Sequence, residues 1–331
     1  KEIPGYQLEG TLPELNALAA WALFAAHSLA LRRGETKVGE CWRDAAGELA
    51  AALPRLARSG GSLPRLADDQ DALTGDLVFP LLAGFGPEPL AAGLARRLAR
   101  AYQWTEAGAR TVGSDQPGYD PEFAGGLMGG ISPILTAWVG VAAREHFPGL
   151  PVEALRGLAS LIENERPNAR DLVPGQLPAA LHGETFGRLG PSLHPLAAPL
   201  MRWLAIEGVL GLRLPLVPWV KSITIQPALP ENWSWLVVSR LPWQGGEVSA
   251  IVHDGTIHTN GEFEAARIER WARIEPVPGT AVPAWRLQRR GERRLFVAAP
   301  DEAYSGTLVA AGSRWRVRLA GGEAALLSEP E

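Results

Sequence analysis

The chain has 331 residues, enough for two domains or one large one. Its 46% hydrophobic and 21% charged residues are ordinary for a globular protein. Lys and Arg number 32 against 36 Asp and Glu, a net charge of -4, which lacks the basic excess of a nucleic-acid or membrane-surface binder.

The single cysteine, Cys41, excludes an intrachain disulfide and a cysteine-cluster zinc or iron–sulfur site. No run of about 18 or more uncharged apolar residues stands clear of His, Arg or Pro, so no membrane span is expected. No signal-peptide pattern opens the chain. The start, KEIPG, reads as a linker inside a longer protein.

The first two-thirds reads as helix. Residues 12–31 are apolar almost all round, which predicts a helix buried on every side. Pro13 suits its first turn and Gly34 lies just past its end. Residues 41–56 are amphipathic, 72–83 largely apolar, 88–102 amphipathic, 131–141 apolar all round, 152–162 amphipathic and 193–212 mostly apolar. Buried and half-exposed helices thus alternate. Consecutive helices of this kind form antiparallel hairpins, and the alternation predicts an (α/α)-toroid with apolar helices inside, whereas the helices of a simple bundle would all be amphipathic. About seven helices are legible, short of a closed ring of six hairpins. The ring therefore requires an N-terminal segment or a second chain to close it. An open arc would leave an inner face exposed to water.

Two prolines in the stretch LPLVP at 214–218 mark a linker. Strands are predicted after it, at 219–225, 235–240, 247–253, 256–259, 284–290, 294–298, 306–309 and 314–319. Asp254-Gly255 is a strong hairpin signal. The domain reading is a helical barrel portion at 1–217 and an antiparallel β-sandwich at 218–331. The 12 Trp against 4 Tyr suit either a packed core or stacking on the C–H faces of pyranose rings.

Four stretches carry a resemblance. They are PELNAL at 13–18; LVFPLL at 77–82 running through WTEAGART at 104–111 to Tyr119; GETFG at 183–187 with SLHP at 192–195, Trp203-Leu204 and 208–212; and ITIQPALP at 223–230. In this order they resemble the six-hairpin (α/α)6-barrel glycoside hydrolases, in particular amylo-α-1,6-glucosidase-type debranching enzymes and bacterial α-L-rhamnosidase-like enzymes, over their C-terminal portion.

The resemblance implies hydrolysis of an α-glycosidic bond, with inversion, at one mouth of the barrel. Inverting chemistry uses two carboxyl groups roughly 6.5–9.5 Å apart, one donating a proton and one activating water. Glu184 matches the family's general base and is expected directly before an inner helix. His194 matches a His that binds a sugar hydroxyl, and His182 lies two residues from Glu184. Glu14 and Asn16 start an inner helix near the expected mouth; Glu14 there also suits the helix dipole. Asp69 belongs to an acidic run with Asp68 and Asp71 that serves equally as a solvated helix start. Tyr119, in the loop 114–120, is a candidate stacking platform for a carbohydrate substrate. The stretch GGISPI at 129–134 replaces aromatic residues usual in the family, and the family's general acid lies on an earlier hairpin than any legible here.

No phosphate-binding loop, HExxH, GxSxG or EF-hand pattern appears. His182, Glu184 and His194 fit no helical i, i+4 metal pair, so neither metal nor cofactor is expected. Two rivals remain: a carbohydrate-binding or scaffolding protein that keeps the fold without catalysis, and a lyase or terpenoid-cyclase-like toroid. For the latter, Asp68-Asp69-Gln70-Asp71 poorly imitates DDxxD.

Overall fold

A computed structural model describes residues 13–57, 63, 75–116, 119–122, 129–163, 175–213, 223–243, 246–310 and 313–328. The described residues through Val209 form one compact unit, and those from Leu210 onward form a second.

The first unit is helical. Its helices are α1 (Pro13–Arg32), α2 (Thr36–Ala52), α3 (Val78–Leu82), α4 (Glu88–Leu98), α5 (Pro133–Ala143), α6 (Leu150–Glu163) and α7 (Ala197–Trp203), the last running into a π-helix at Leu204–Val209. Two short hairpins interrupt them: β1 (Trp104–Thr105) with β2 (Gly108–Ala109), and β3 (Ala180–Leu181) with β4 (Arg188–Leu189). Gly34 ends α1 with φ +78°. Its N–H donates to Leu31 O at 3.0 Å and the Glu35 N–H to Ala30 O at 2.9 Å, the paired bonds of a Schellman stop. Ser132 starts α5 by accepting a hydrogen bond from the Leu135 N–H at 3.2 Å, with Pro133 next where its missing N–H costs nothing.

The packing follows chain order. Helix α1 touches α3, α3 touches α5 and α5 touches α7, while α2 packs on α1, α4 on α3 and α5, and α6 on α5. The core lies around α5 and α6, where Ile131, Ala137, Leu158, Leu161, Leu181 and Leu204 are buried together.

Two sequence expectations change here. Helix α1 is not buried on every side: Leu15 is 56% and Leu29 60% exposed, and Ala19 and Ala22 between them are exposed on the same face. The reason is that α1 has α2 and α3 as neighbours, which cover part of its circumference. By length and composition α1 would also suffice to cross a membrane, although it carries Pro13, Glu14, His27 and Arg32; here it packs as a helix of this unit. Secondly, the apolar stretches at 72–83 and 193–212 yield short α-helices. The first becomes a 3-10 turn at Gly75–Leu77 followed by α3, and the second changes to π-helix at Leu204.

The second unit is built of strands. They are β5 (Leu212–Arg213), β6 (Ile223–Ile225), β7 (Trp235–Trp243), β8 (Gly246–His253), β9 (Thr256–Thr259), β10 (Phe263–Glu264), β11 (Ile268–Arg270), β12 (Arg273–Pro276), β13 (Ala284–Arg289), β14 (Glu292–Ala298), β15 (Tyr304–Ala310), β16 (Ser313–Leu319) and β17 (Ala324–Ser328). They form sheets ordered β10-β6-β5, β11-β9-β8-β7 and β12-β13-β14-β17, with β15-β16 as a separate hairpin. Most pairs are antiparallel, but β6–β10 and β9–β11 are parallel. Asp254 and Gly255 both have positive φ, +48° and +69°, the backbone a type I′ hairpin turn requires.

Strand β14 is apolar at successive positions because both its faces are covered. Phe296 and Ala298 pack with Ile251, Trp271 and Leu287. Leu295 and Val297 pack instead with Leu308, Trp315 and Val317.

Candidate functional site

Three extended segments meet just before α5. Ile131 pairs antiparallel with both Arg110 and Leu181, exchanging backbone bonds with Leu181 at 2.8 and 2.9 Å. The β1–β2 hairpin delivers Arg110 to this crossing, and β3 delivers the turn that carries His182, Gly183 and Glu184.

That turn is held from inside. The His182 N–H donates to Gly187 O at 2.7 Å and the Phe186 N–H to His182 O at 3.1 Å. His182 Nδ1 accepts from the N–H groups of Glu184 and Thr185, both at 3.1 Å. Nδ1 is therefore the bare nitrogen and Nε2 carries the proton, 3.9 Å from Glu122 Oε1. Phe186 takes φ +60°, which turns the chain back so that β4 pairs with β3.

Gly183 is the knot. Its N–H donates to Pro121 O at 3.1 Å and its carbonyl accepts from Arg110 Nε at 3.0 Å. A Cβ added here would run into the Gly129 carbonyl oxygen and lie 2.6 Å from Tyr119 Oη, so only glycine fits. Arg110 Nη1 also donates to Ala101 O at 3.3 Å and Tyr102 O at 3.0 Å. Its guanidinium lies 6.0 Å from the Tyr119 ring centroid.

The Tyr119 hydroxyl is buried, with the Arg110 guanidinium as its polar neighbour. Burial pushes its phenol above the ordinary tyrosine value; the Arg110 guanidinium opposes that rise and the Glu184 carboxylate adds to it. Glu184 itself is exposed. Its carboxylate faces water, where it can act on a water molecule as an acceptor.

The structure thus brings Tyr119, His182 and Glu184 together and adds two residues the sequence reading missed, Arg110 and Glu122. A lone cation in the small-residue run AGART at 107–111 was the available signal for Arg110; Glu122 stood two residues beyond the loop that ended at Asp120. One local expectation is corrected: Glu184 does not directly precede a helix. It sits at the tip of the β3–β4 hairpin, and α7 begins only at Ala197. His194 holds the start of α7, its Nδ1 accepting from the Leu196 N–H at 3.3 Å and its carbonyl from the Ala197 N–H at 3.0 Å. Glu14 and Asn16 lie in the first turn of α1, Glu14 only 7% exposed and Asn16 half-buried. Asp68, Asp69 and Asp71 lie outside the described residues. Among the described residues no group of three His, Cys, Asp or Glu side chains gathers as a metal site would.

No known protein-family model matches the chain, and no curated protein matches its sequence. Solved structures do resemble it. A sialidase superposes with a TM-score of 0.55 at 14% identity, over 78% of this chain and 26% of its own. A GH63 mannosylglycerate hydrolase from Thermus thermophilus, in complex with glucose, gives a TM-score of 0.41 at 20% identity, over 58% of this chain and 44% of its own. The chain therefore spans about a quarter of the first and less than half of the second. The likeness to the sialidase is one of fold.

Proposed function

We propose that this chain is part of a glycoside hydrolase of the six-hairpin type, acting on an α-glycosidic bond of an oligo- or polysaccharide with inversion. The observation that carries the reading is the meeting of Glu184, Tyr119, Arg110 and His182 before α5, in a fold similar to that of a sialidase. Glu184 would act as the general base on water. Its loop is pinned by His182 and by Arg110 on Gly183, and such fixing lowers the entropic part of a barrier. Tyr119 would offer a stacking platform, with Glu14, Asn16, Asp69, His182 and His194 as further substrate-binding residues. The general acid would come from a segment outside these 331 residues.

The contact succession α1–α3–α5–α7 with α2, α4 and α6 alongside supports an arc of an (α/α) ring. The exposed apolar face of α1 supports its completion by an N-terminal segment or a second chain, which would cover Leu15 and Leu29. The strand unit would brace the barrel rather than take part in chemistry.

The test is Glu184→Gln in the complete protein, assayed on α-linked oligosaccharides. Loss of hydrolysis by about 100-fold or more is expected of a missing base. Hydrolysis within tenfold of wild type removes Glu184 from that role. Sugar binding without turnover in the wild type would favour the non-catalytic carbohydrate-binding reading.

A further inference from the structure

The strand unit carries a face on which charge is not balanced. Strands β15 and β16 pair antiparallel, with Ser305 opposite Arg318, Thr307 opposite Arg316 and Val309 opposite Arg314. Side chains alternate across a strand, and the hairpin follows that rule. Leu308, Trp315, Val317 and Leu319 are buried on one side, while Arg314, Arg316 and Arg318 are exposed on the other with Ser305, Thr307 and Val309. The three arginines follow one another along β16 at about 6.7 Å, two residues of strand rise. Elsewhere in the unit arginine is neutralised: Arg286 pairs with Glu275 at 2.8 Å and Arg294 with Glu292 at 2.6 Å. Arg314, Arg316 and Arg318 form no ion pair with any described residue, although Asp301 and Glu302 stand exposed just before β15. Opposite charges across a strand pair stabilise a sheet; this hairpin sets a serine, a threonine and a valine there instead.

We propose that the outer face of the β15–β16 hairpin is a docking surface for an acidic polysaccharide, one whose carboxylate or sulfate groups repeat along an extended chain. A guanidinium grips such oxyanions with paired N–H donors, and a straight row of three matches a linear polyanion better than a single anion. Ser305 and Thr307 place hydroxyls beside the row, each able to donate to or accept from a sugar hydroxyl. Val309, 58% exposed, offers apolar surface to the C–H face of a sugar ring. A single-stranded nucleic acid fits less well, because its bases need aromatic side chains to stack on. The aromatic residue of β16, Trp315, is turned to the core, its Nε1 donating to Ser328 O at 3.1 Å. The chain as a whole is negative, at -4, so the attraction is local to this face and short in range. The choice of a polysaccharide among polyanions rests on the carbohydrate reading above; the face itself lies in the other unit and performs no chemistry.

The experiment uses the full chain, with a galacturonic acid hexamer and a sulfated hexasaccharide as probes, read by calorimetry at low and at raised salt. A thymidine hexanucleotide is the nucleic-acid control. Binding of an acidic hexamer is expected to weaken at least about tenfold in the triple variant Arg314→Gln, Arg316→Gln, Arg318→Gln, which removes three exposed ion pairs at once. It should be partly kept when the same three become lysine, which preserves the charge without the fork, and it should fall as salt is raised. Binding of either hexamer with this dependence supports the proposal, and the tighter of the two identifies the oxyanion. Hydrolysis of a small aryl glycoside should stay within twofold in the glutamine variant. Four results would overturn the inference: no binding of either acidic hexamer, binding indifferent to the glutamine variant, binding indifferent to salt, or the oligonucleotide bound as tightly as the acidic sugars. A wild type that binds an acidic hexamer through these arginines but hydrolyses no glycoside would refute the hydrolase reading and leave this surface standing.

Discussion

The Arg110 Nε donates to the carbonyl oxygen of Gly183 at 3.0 Å, across 73 residues of sequence. One guanidinium thereby joins the end of the β1–β2 hairpin to the turn carrying Glu184, while its other arm holds the carbonyls of Ala101 and Tyr102. The planar fork matters, because its donors sit on separate nitrogens, Nε and Nη1, whereas the three donors of a lysine share one nitrogen. Arg110→Lys should therefore cost roughly 1.5–3 kcal/mol of stability, the range for hydrogen bonds to a charged group. On the proposed hydrolase reading, loss of hydrolysis should exceed what the unfolded fraction explains. Urea unfolding together with turnover under conditions of full folding would separate the two; a variant with wild-type turnover would show that Arg110 does not position Glu184.

Gly183 is predicted to be intolerant of even one methyl group. The added Cβ would face Tyr119 Oη and the Gly129 carbonyl at once. Gly183→Ala should destabilise by about 1–3 kcal/mol, the usual cost of overpacking. The pair Gly183→Ala with Tyr119→Phe should recover only part of that loss, because removing the hydroxyl leaves the Gly129 oxygen in place. Full recovery in thermal unfolding would mean that the Gly129 backbone moves freely, contrary to the bridge that Ile131 makes with Leu181 two residues on.

Tyr119→Phe alone should test the buried hydroxyl beside Arg110. A buried hydroxyl without a well-aligned partner costs about 1–3 kcal/mol relative to a bonded one, so its removal should leave the melting temperature unchanged or slightly raised. Because the hydroxyl is closed off from solvent while the ring remains, sugar affinity should stay within about tenfold of wild type, less than the loss of one hydrogen bond to substrate. A stability loss above about 1 kcal/mol would show that Arg110 bonds the hydroxyl in the folded chain.

These relationships explain what was legible beforehand and what was not. Helix α1 and its stop at Gly34, the Asp254-Gly255 turn and most long strands follow from local pattern, because apolar period and left-handed glycine act within a few residues. The crossing of Arg110, Ile131 and Leu181 does not: two-residue strands are too short to show a period, and their partners are far apart in sequence. So the loop of Glu184 was read as the lead into a helix, although Phe186 at φ +60° folds it into a hairpin first. The exposure of Leu15 and Leu29 escaped for another reason. An apolar period says which faces of a helix can be buried, and the number of neighbours decides which faces are. The double burial of β14 was hidden similarly, since a continuous apolar run suits a strand or a buried helix alike.

The last prediction concerns pH and the strand unit. His258 is 3% exposed, with its Nδ1 accepting from Trp271 Nε1 at 3.4 Å and lying 3.3 Å from Glu269 Oε2. Burial holds its pKa below the ordinary histidine value; the Glu269 carboxylate pulls the other way, while His253 and Arg294 reinforce the depression. The folded state therefore prefers the neutral ring, whereas the unfolded chain titrates near the ordinary value of about 6.5. Above that pH neither state binds the proton and this contribution to stability is complete. Below it the unfolded chain takes up the proton first, so stability falls with pH until the folded pKa is reached. Glu275, whose carboxyl is lowered by Arg286, adds its own loss only in the more acid carboxylate range. Urea midpoints of the strand unit's transition, followed from about pH 8 to 5, should thus decline below about 6.5, and His258→Gln should flatten that decline. A wild-type midpoint that stays level or rises over this interval would mean that the Glu269 carboxylate outweighs burial and that the imidazole is charged in the folded protein.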